Sequence, residues 1–136
     1  MKARQQRRIL LQLGYLKNSF VELRQISKDI FSETECLDNR KEQLAIIKLT
    51  QDICEVATTI VKIDRRIIKK DTEIKWLELR RLRETMVHEH FRIDRGTVWN
   101  MVVNNSVNLE NKFLKFEKYV SSQRIKRQID NPRQIE

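Results

Sequence analysis

The chain is very poor in the residues that make tight turns. It contains two glycines, Gly14 and Gly96, and one proline, Pro132, in 136 residues. Average usage would give roughly nine glycines and seven prolines at this length. Because strand-to-strand turns depend on Gly, Pro or Asn-Gly chemistry, the scarcity argues against sandwiches, barrels and doubly wound α/β folds. No G-x-G or G-x-x-x-x-G-K occurs, which excludes glycine-rich phosphate loops. The composition predicts long helices joined by short polar segments.

Apolar residues recur at spacings of three and four along most of the chain, as on the buried face of a helix. Asn39 followed by Glu42 is typical of a capping box, and Asp71 or Thr72 is expected to cap a later helix. Five helices are therefore predicted: residues 5–33, 39–63, 72 to about 90–93, a short one capped by Asp94, and one from about 107 to 120. The predicted core positions are Ile9, Leu13, Leu16, Phe20, Leu23, Ile26, Ile30, Ile46, Leu49, Ile53, Val56, Ile60, Ile63, Trp76, Leu79, Leu82, Met86, Val87, Val98, Trp99, Val102, Val103, Leu109, Phe113, Phe116 and Val120.

Five helices with short joints predict an all-α antiparallel bundle. The first helix would be about 40 Å long, more than a chain of this size covers on all sides. Some of its apolar surface is expected to meet a second subunit in a two-fold dimer; the alternative is a monomer with a wide apolar stripe. Residues 1–120 are predicted to form the helical domain, and 121–136 a polar, basic and flexible tail. The apolar residues off the main stripe are Leu10, Leu11, Tyr15 and Phe31.

The net charge of +9 is concentrated in three blocks. Residues 1–10, 61–83 and 112–136 carry +4, +5 and +4, whereas 11–60 and 84–111 carry −2 each. This pattern favours a polyanionic partner, with solubility as the alternative.

The remaining composition predicts a soluble, cytoplasmic protein without cofactor or metal. No stretch approaches the roughly 18 apolar residues of a membrane span, and no apolar segment of a signal peptide follows Met1. Cys36 and Cys54 form no C-x-x-C pair, so neither a zinc finger nor a redox pair is supported.

Both histidines, His88 and His90, lie in one three-residue window that follows several arginines. Three interpretations are open: a thin metal-ligand pair, surface histidines at a helix C-terminus, or acid–base chemistry on an RNA phosphodiester. Arg83 and His88 would point about 140° apart on a regular helix. They converge only if the helix ends between them or if two protomers each supply part of the site. Arg83 and His90 share a face, and Glu84 could hydrogen-bond the His88 ring.

Other motifs have structural interpretations as well. Trp76 and Trp99 are expected to anchor the core rather than stack on bases, and Tyr119 to pack in the last helix. Glu55 is acidic among apolar neighbours. It is either a partner of Arg83 or Arg80, or an interface residue.

The run L-R-E-T-M-V-H-E-H-F-R-I-D at 82–94, followed by V-W at 98–99, resembles the signature of HepT-like proteins of the HEPN superfamily. That signature is an arginine, four to six residues, then a histidine, approximately R-N-x-x-V-H-x-Y-F-x-I-D and then V-W. Further anchors occur in the same order, and the resemblance extends over about residues 5–117. They are D-N-R at 38–40, I-C-E-V-A at 53–57, I-K-W at 74–76 and N-N-S-V-N-L at 104–109.

The resemblance implies a dimeric all-α bundle in which Arg and His of both protomers face one cleft. It implies a metal-independent ribonuclease toxin of a type VII-like toxin–antitoxin pair, acting on tRNA or mRNA. Its partner would be a nucleotidyltransferase antitoxin that adenylylates the signature tyrosine. Carried over, Arg83 binds phosphate and His88 is the catalytic histidine, with Arg80, Arg81 and Lys75 as RNA-binding candidates.

Two positions depart from the family pattern. Glu84 stands where Asn or Asp is usual, and it would either orient the site or repel phosphate. His90 stands at the tyrosine position, so the usual hydroxyl for adenylylation is absent. His90 would then be a second imidazole in the cleft, or the chain would be a catalytically impaired module that binds a nucleotidyltransferase or RNA without cleavage.

Overall fold

Helices make up the regular structure of the computed structural model, which describes residues 1–29, 40–88, 99 and 105–123. The all-α prediction is confirmed. The short helix predicted after Asp94 lies outside the described residues except for Trp99, as do the predicted cap at Asn39 and the tail from residue 124. The division into a domain and a tail stays a prediction. The helices are α1 (Ala3–Asp29), α2 (Arg40–Ile63), α3 (Ile67–Lys70), α4 (Trp76–His88) and α5 (Ser106–Ser122).

The predicted apolar stripe of α1 is the side that faces the core. Its members from Ile9 to Leu23 are at most 2% exposed, and Ile26 is partly buried. Leu11 and Tyr15 lie off that stripe and remain 57% and 54% exposed. The six core positions predicted on α2 are all buried as well.

Hydrogen bonds and ion pairs between helix ends define an antiparallel arrangement. Near the start of α1, the Gln5 side-chain amide donates to the carbonyl of Ile63 at the end of α2 (3.2 Å). The Gln6 amide likewise donates to the carbonyl of Val120 at the end of α5 (2.7 Å). Near the end of α1, Arg24 pairs with Glu110 at the start of α5. Helix α1 is therefore antiparallel to both α2 and α5.

Aromatic packing joins α4 to α5. The Trp76 ring meets Phe113 and Phe116 edge-on, with centroids 5.7 and 5.1 Å apart. Trp76 and Trp99 are 3% and 8% exposed, which confirms the core role predicted for both. Tyr119 is partly buried and stacks on Phe116 at 6.3 Å, as its predicted packing role requires.

The joint between α2 and α4 differs from the prediction. Asp71 does not cap a helix, because α4 begins five residues later at Trp76. The Asp71 carboxylate instead accepts the backbone N–H groups of Glu73 and Ile74 (3.0 and 3.3 Å), closing a local turn. The Asp71 carbonyl accepts the Trp76 indole N–H (3.2 Å). The aspartate's preference for nearby amides thus serves a turn that delivers Trp76 to the core.

None of the helices in the described part of the chain combines the length and apolar character that a membrane span requires.

Candidate active site

Arg83 is positioned by the same face of α4 that packs into the bundle. Leu79 and Met86, one turn before and after it, are 1% exposed. Because residues three and four apart share a helix face, the Arg83 stem is held at the edge of this packed face beside α2. Its side chain is 26% exposed, so the guanidinium is reachable from solvent while the stem is covered.

Two carboxylates hold the Arg83 guanidinium. Its Nε donates to Glu55 Oε2 on α2 (2.7 Å), and its Nη1 donates to Glu84 Oε1 on α4 (3.1 Å). The hydrogen bond and charge of Glu55, then those of Glu84, raise the pKa of Arg83 against the opposing effect of burial. Both carboxylates are about half exposed, so the pairs add little stability. What they supply is a fixed direction for the guanidinium.

Glu55 reaches Arg83 from the outward face of α2. Its neighbours Cys54, Val56 and Ala57 are buried, whereas the Glu55 side chain is 55% exposed. Of the alternatives open for this residue, the structure selects the Arg83 partner. Glu55 also borders a groove between α1 and α2 that contains two more acids, Glu22 and Asp52. Sequence reasoning missed this groove because its walls are about 30 residues apart in the chain and acquire meaning only when the helices pack.

Helix α4 is continuous from Arg83 to His88. Five residues on a regular helix rotate the side-chain direction by about 140°, so the two side chains leave α4 in different directions. A helix end between them, one of the two ways in which they could converge, is therefore excluded. Convergence from two protomers is the arrangement that remains. The His88 side chain and all of His90 lie outside the described residues.

The three basic candidates occupy different surfaces. Arg80 is exposed and lies three and four residues before Arg83 and Glu84, on the same flank of α4. Arg81 is exposed farther round the helix. Lys75 precedes α4 and lines a separate groove towards α5, with Asn108 and Lys112. It is roughly 12 Å from Arg83 along the helix axis. The structure thus brings Arg80 next to Arg83 and leaves Lys75 apart.

Within the described residues, no group of three or more His, Cys, Asp or Glu side chains is arranged to hold a metal ion.

Comparison with known proteins identifies the family. The family model described as ribonuclease HepT-like matches residues 16–116. A Thermococcus cleftensis protein described as a probable ribonuclease HepT is 30% identical over 82 residues, which cover 60% of this chain and 72% of the relative. A Methanocaldococcus jannaschii protein described as a candidate RNase is 28% identical over 74 residues, or 54% and 59% of the two chains. No solved structure gives a significant match. The family match spans most of the chain, so this protein belongs to the HepT-like ribonuclease family.

Proposed function

We propose that this protein is a metal-independent endoribonuclease that cleaves RNA through attack of its own 2′-OH. The observation that supports the proposal most directly is Arg83. It is a solvent-reachable guanidinium with a covered stem, held at 2.7 Å by Glu55, in a chain of the HepT-like ribonuclease family. A planar fork of donors in a fixed direction suits the non-bridging oxygens of a phosphate.

The reaction needs only proton transfers and charge stabilisation. A base takes the proton of the 2′-OH, whose oxygen attacks phosphorus. The bond to the 5′ oxygen then breaks, and an acid protonates that leaving oxygen. His88 titrates in the range suited to these transfers. Arg83 stabilises the negative charge that develops on the phosphorane. The products are a 2′,3′-cyclic phosphate and a 5′-hydroxyl.

The site is proposed to form at a cleft between two protomers. On one continuous α4, Arg83 and His88 diverge by about 140°. A two-fold arrangement lets Arg83 of one copy and His88 of the other approach a single phosphate. Arg80, on the Arg83 flank, would extend the positive surface for the neighbouring RNA backbone.

The same reasoning gives the unusual Glu84 a role. In the structure this carboxylate pairs with the Arg83 guanidinium. That favours an orienting role for Glu84 over simple repulsion of phosphate. An incoming phosphate would compete with Glu84 and Glu55 for donors of Arg83, so the two carboxylates would moderate RNA affinity in the ground state.

We further propose that the protein is the toxin of a cytoplasmic toxin–antitoxin pair with a nucleotidyltransferase antitoxin. Because His90 replaces the tyrosine that the antitoxin modifies elsewhere in the family, control would act through tight binding or another residue. A test is co-purification with the product of a neighbouring small nucleotidyltransferase gene. An unmodified toxin of unchanged mass in an inactive complex would support control by binding.

The test of the ribonuclease proposal is cleavage of total RNA by the purified protein in EDTA. Wild type should yield fragments ending in 2′,3′-cyclic phosphate. Arg83→Ala and His88→Ala should each reduce the rate at least a hundredfold, as expected for groups that act in the transition state. Lys75→Ala is the matched control on the same segment, and it should stay within about threefold of wild type because Lys75 lies apart from Arg83. Equal cleavage by His88→Ala and wild type would overturn the mechanism.

A second candidate is a binding module that does not cleave. It is favoured by the neutralisation of Arg83 by two carboxylates and by the departures at Glu84 and His90. In that case wild type would bind RNA or a nucleotidyltransferase without cleavage, and the double variant Glu84→Asn/His90→Tyr would regain activity. Wild-type toxicity in cells that Arg83→Ala abolishes would exclude this candidate.

A further inference from the structure

One face of α1 is used neither by the bundle nor by the candidate site. Five of its exposed residues follow one another along the helix axis, and we call them the α1 stripe. Its apolar members, Leu11 and Tyr15, are more than half exposed and lie one turn apart at its centre. Large apolar side chains grouped on one exposed face indicate a contact with another molecule. The stripe consists of Arg8, Leu11, Gly14, Tyr15 and Glu22.

Gly14 has no role within its own chain. A methyl group added there would meet no atom within 4 Å among the described residues. Glycine weakens a helix interior, so its presence between Leu11 and Tyr15 is a local disadvantage. Two helices approach most closely where the side chain at the contact is smallest. The glycine therefore fits a surface on which a second helix lies.

The charges of the α1 stripe are arranged so that the stripe complements itself. Arg8 lies seven residues before Tyr15, and Glu22 lies seven residues after it. The acidic end is reinforced by Asp52 and Glu55, which border the same groove as Glu22. Within the described residues, neither Arg8 nor Glu22 forms an ion pair. An identical helix laid antiparallel across Tyr15 brings each arginine to a glutamate.

We infer that a second copy of this chain docks on the α1 stripe. The two α1 helices run antiparallel about a two-fold axis near Gly14 and Tyr15. Arg8 of each copy meets Glu22 of the other at the mouth of the acidic groove. Such a self-complementary contact closes at two subunits. The inference rests on the proposed function only in that the latter requires two protomers, and it is tested without RNA.

The first experiment measures the dimer dissociation constant by sedimentation equilibrium for wild type, Arg8→Glu, Glu22→Arg and the double variant. Each single variant places like charges together twice per dimer and should weaken association at least tenfold. The double variant restores opposite charges and should recover association to within about threefold of wild type. Lys17→Glu is the control, because Lys17 pairs with Glu117 of its own chain on the α5 side of α1. It should leave the constant unchanged.

The second experiment separates docking from folding by using Gly14→Gln. The added side chain enters open space in the monomer and favours helix, so thermal stability below the dissociation constant should rise. Dimerisation should nevertheless weaken at least tenfold, because the helices can no longer approach closely.

Three results would overturn the inference. They are a wild-type chain that sediments as a monomer at its highest soluble concentration, a double variant no better than the singles, and a Gly14→Gln dimer as tight as wild type. The first would leave the α1 stripe to a different protein. RNA cleavage by Arg83 and His88 is measured separately, so its outcome remains distinguishable from each of these.

Discussion

At the scale of single residues, the candidate site depends on how one arginine is held. Sequence spacing places Arg83 before His88, but it does not indicate that Glu55, 28 residues earlier, directs the guanidinium at 2.7 Å. Glu55 is a positioning residue, since it acts on RNA through Arg83. Its removal should therefore affect the chemical step more than substrate binding.

Glu55→Gln should lower kcat about tenfold, because a small misplacement of a group that stabilises the transition state is costly. KM should not rise, because the variant removes a negative charge that competes with phosphate for Arg83. The measurement is steady-state cleavage of a defined RNA, with Asp52→Asn as the matched control. Asp52 is an acid three residues earlier on α2 that pairs with Lys48 rather than Arg83. Equal kcat values for the two variants would contradict the positioning role.

At the scale of elements, the joint after α2 is organised by a buried carboxylate. Asp64 is 4% exposed and accepts the backbone N–H and Nε of Arg66 on Oδ1 (3.1 and 3.0 Å) and Nη2 on Oδ2 (3.2 Å). Burial raises the pKa of Asp64, but the hydrogen bonds and charge of Arg66 outweigh it and hold the pKa below the usual value. The ionised form of Asp64 is thus the one that the fold favours.

Asp64→Asn should lower the free energy of unfolding by about 1–2 kcal/mol at pH 7, because hydrogen bonds to a charged acceptor are lost. A lowered folded-state pKa contributes stability above the unfolded value near 3.9, and that stability disappears as pH falls through the folded value. Urea unfolding should therefore show a gap between variant and wild type at pH 7 that closes below about pH 3. Asp52→Asn, which affects an exposed pair on the same helix, should show little change at either pH. A gap independent of pH would count against the role of the charge.

At the scale of the whole molecule, one core runs through α1, α2, α4 and α5, and Cys54 lies inside it with no exposed surface. Burial, then the neighbouring Glu55 charge, raises the pKa of the Cys54 thiol from 9.0 to about 12. Because the thiolate is the reactive form, its labelling reports on opening of the bundle.

In a Cys36→Ser background, Cys54 should react with an aromatic disulfide reagent at pH 8 roughly a thousandfold more slowly than an exposed thiol, from the thiolate fraction alone. The rate should reach that of a free thiol across the urea unfolding transition. Fast labelling in native buffer would show that the bundle opens far below its global unfolding free energy.

The site was less predictable than the helices. The arginine, the histidines and the family resemblance were legible in the chain, because a signature is a local pattern. The pairing of Arg83 with Glu55, the separation of Lys75 from Arg83 and the acidic groove were not, because each depends on which helices lie side by side. The misplaced start of α4 has a local cause: Asp71 satisfies a turn as readily as a helix terminus, and the choice follows the burial of Trp76.

The sequence by itself determined that the protein is helical, which faces of its helices are apolar, and which family it resembles. Three-to-four spacing and the lack of turn residues act locally and leave few alternatives. Only the tertiary structure decided that α1 is antiparallel to α2 and α5, that Glu55 and Glu84 hold Arg83, and that Leu11, Gly14 and Tyr15 remain outside the core. The physical reason is that burial and ion pairing between distant residues arise from packing, which periodicity along one chain does not encode.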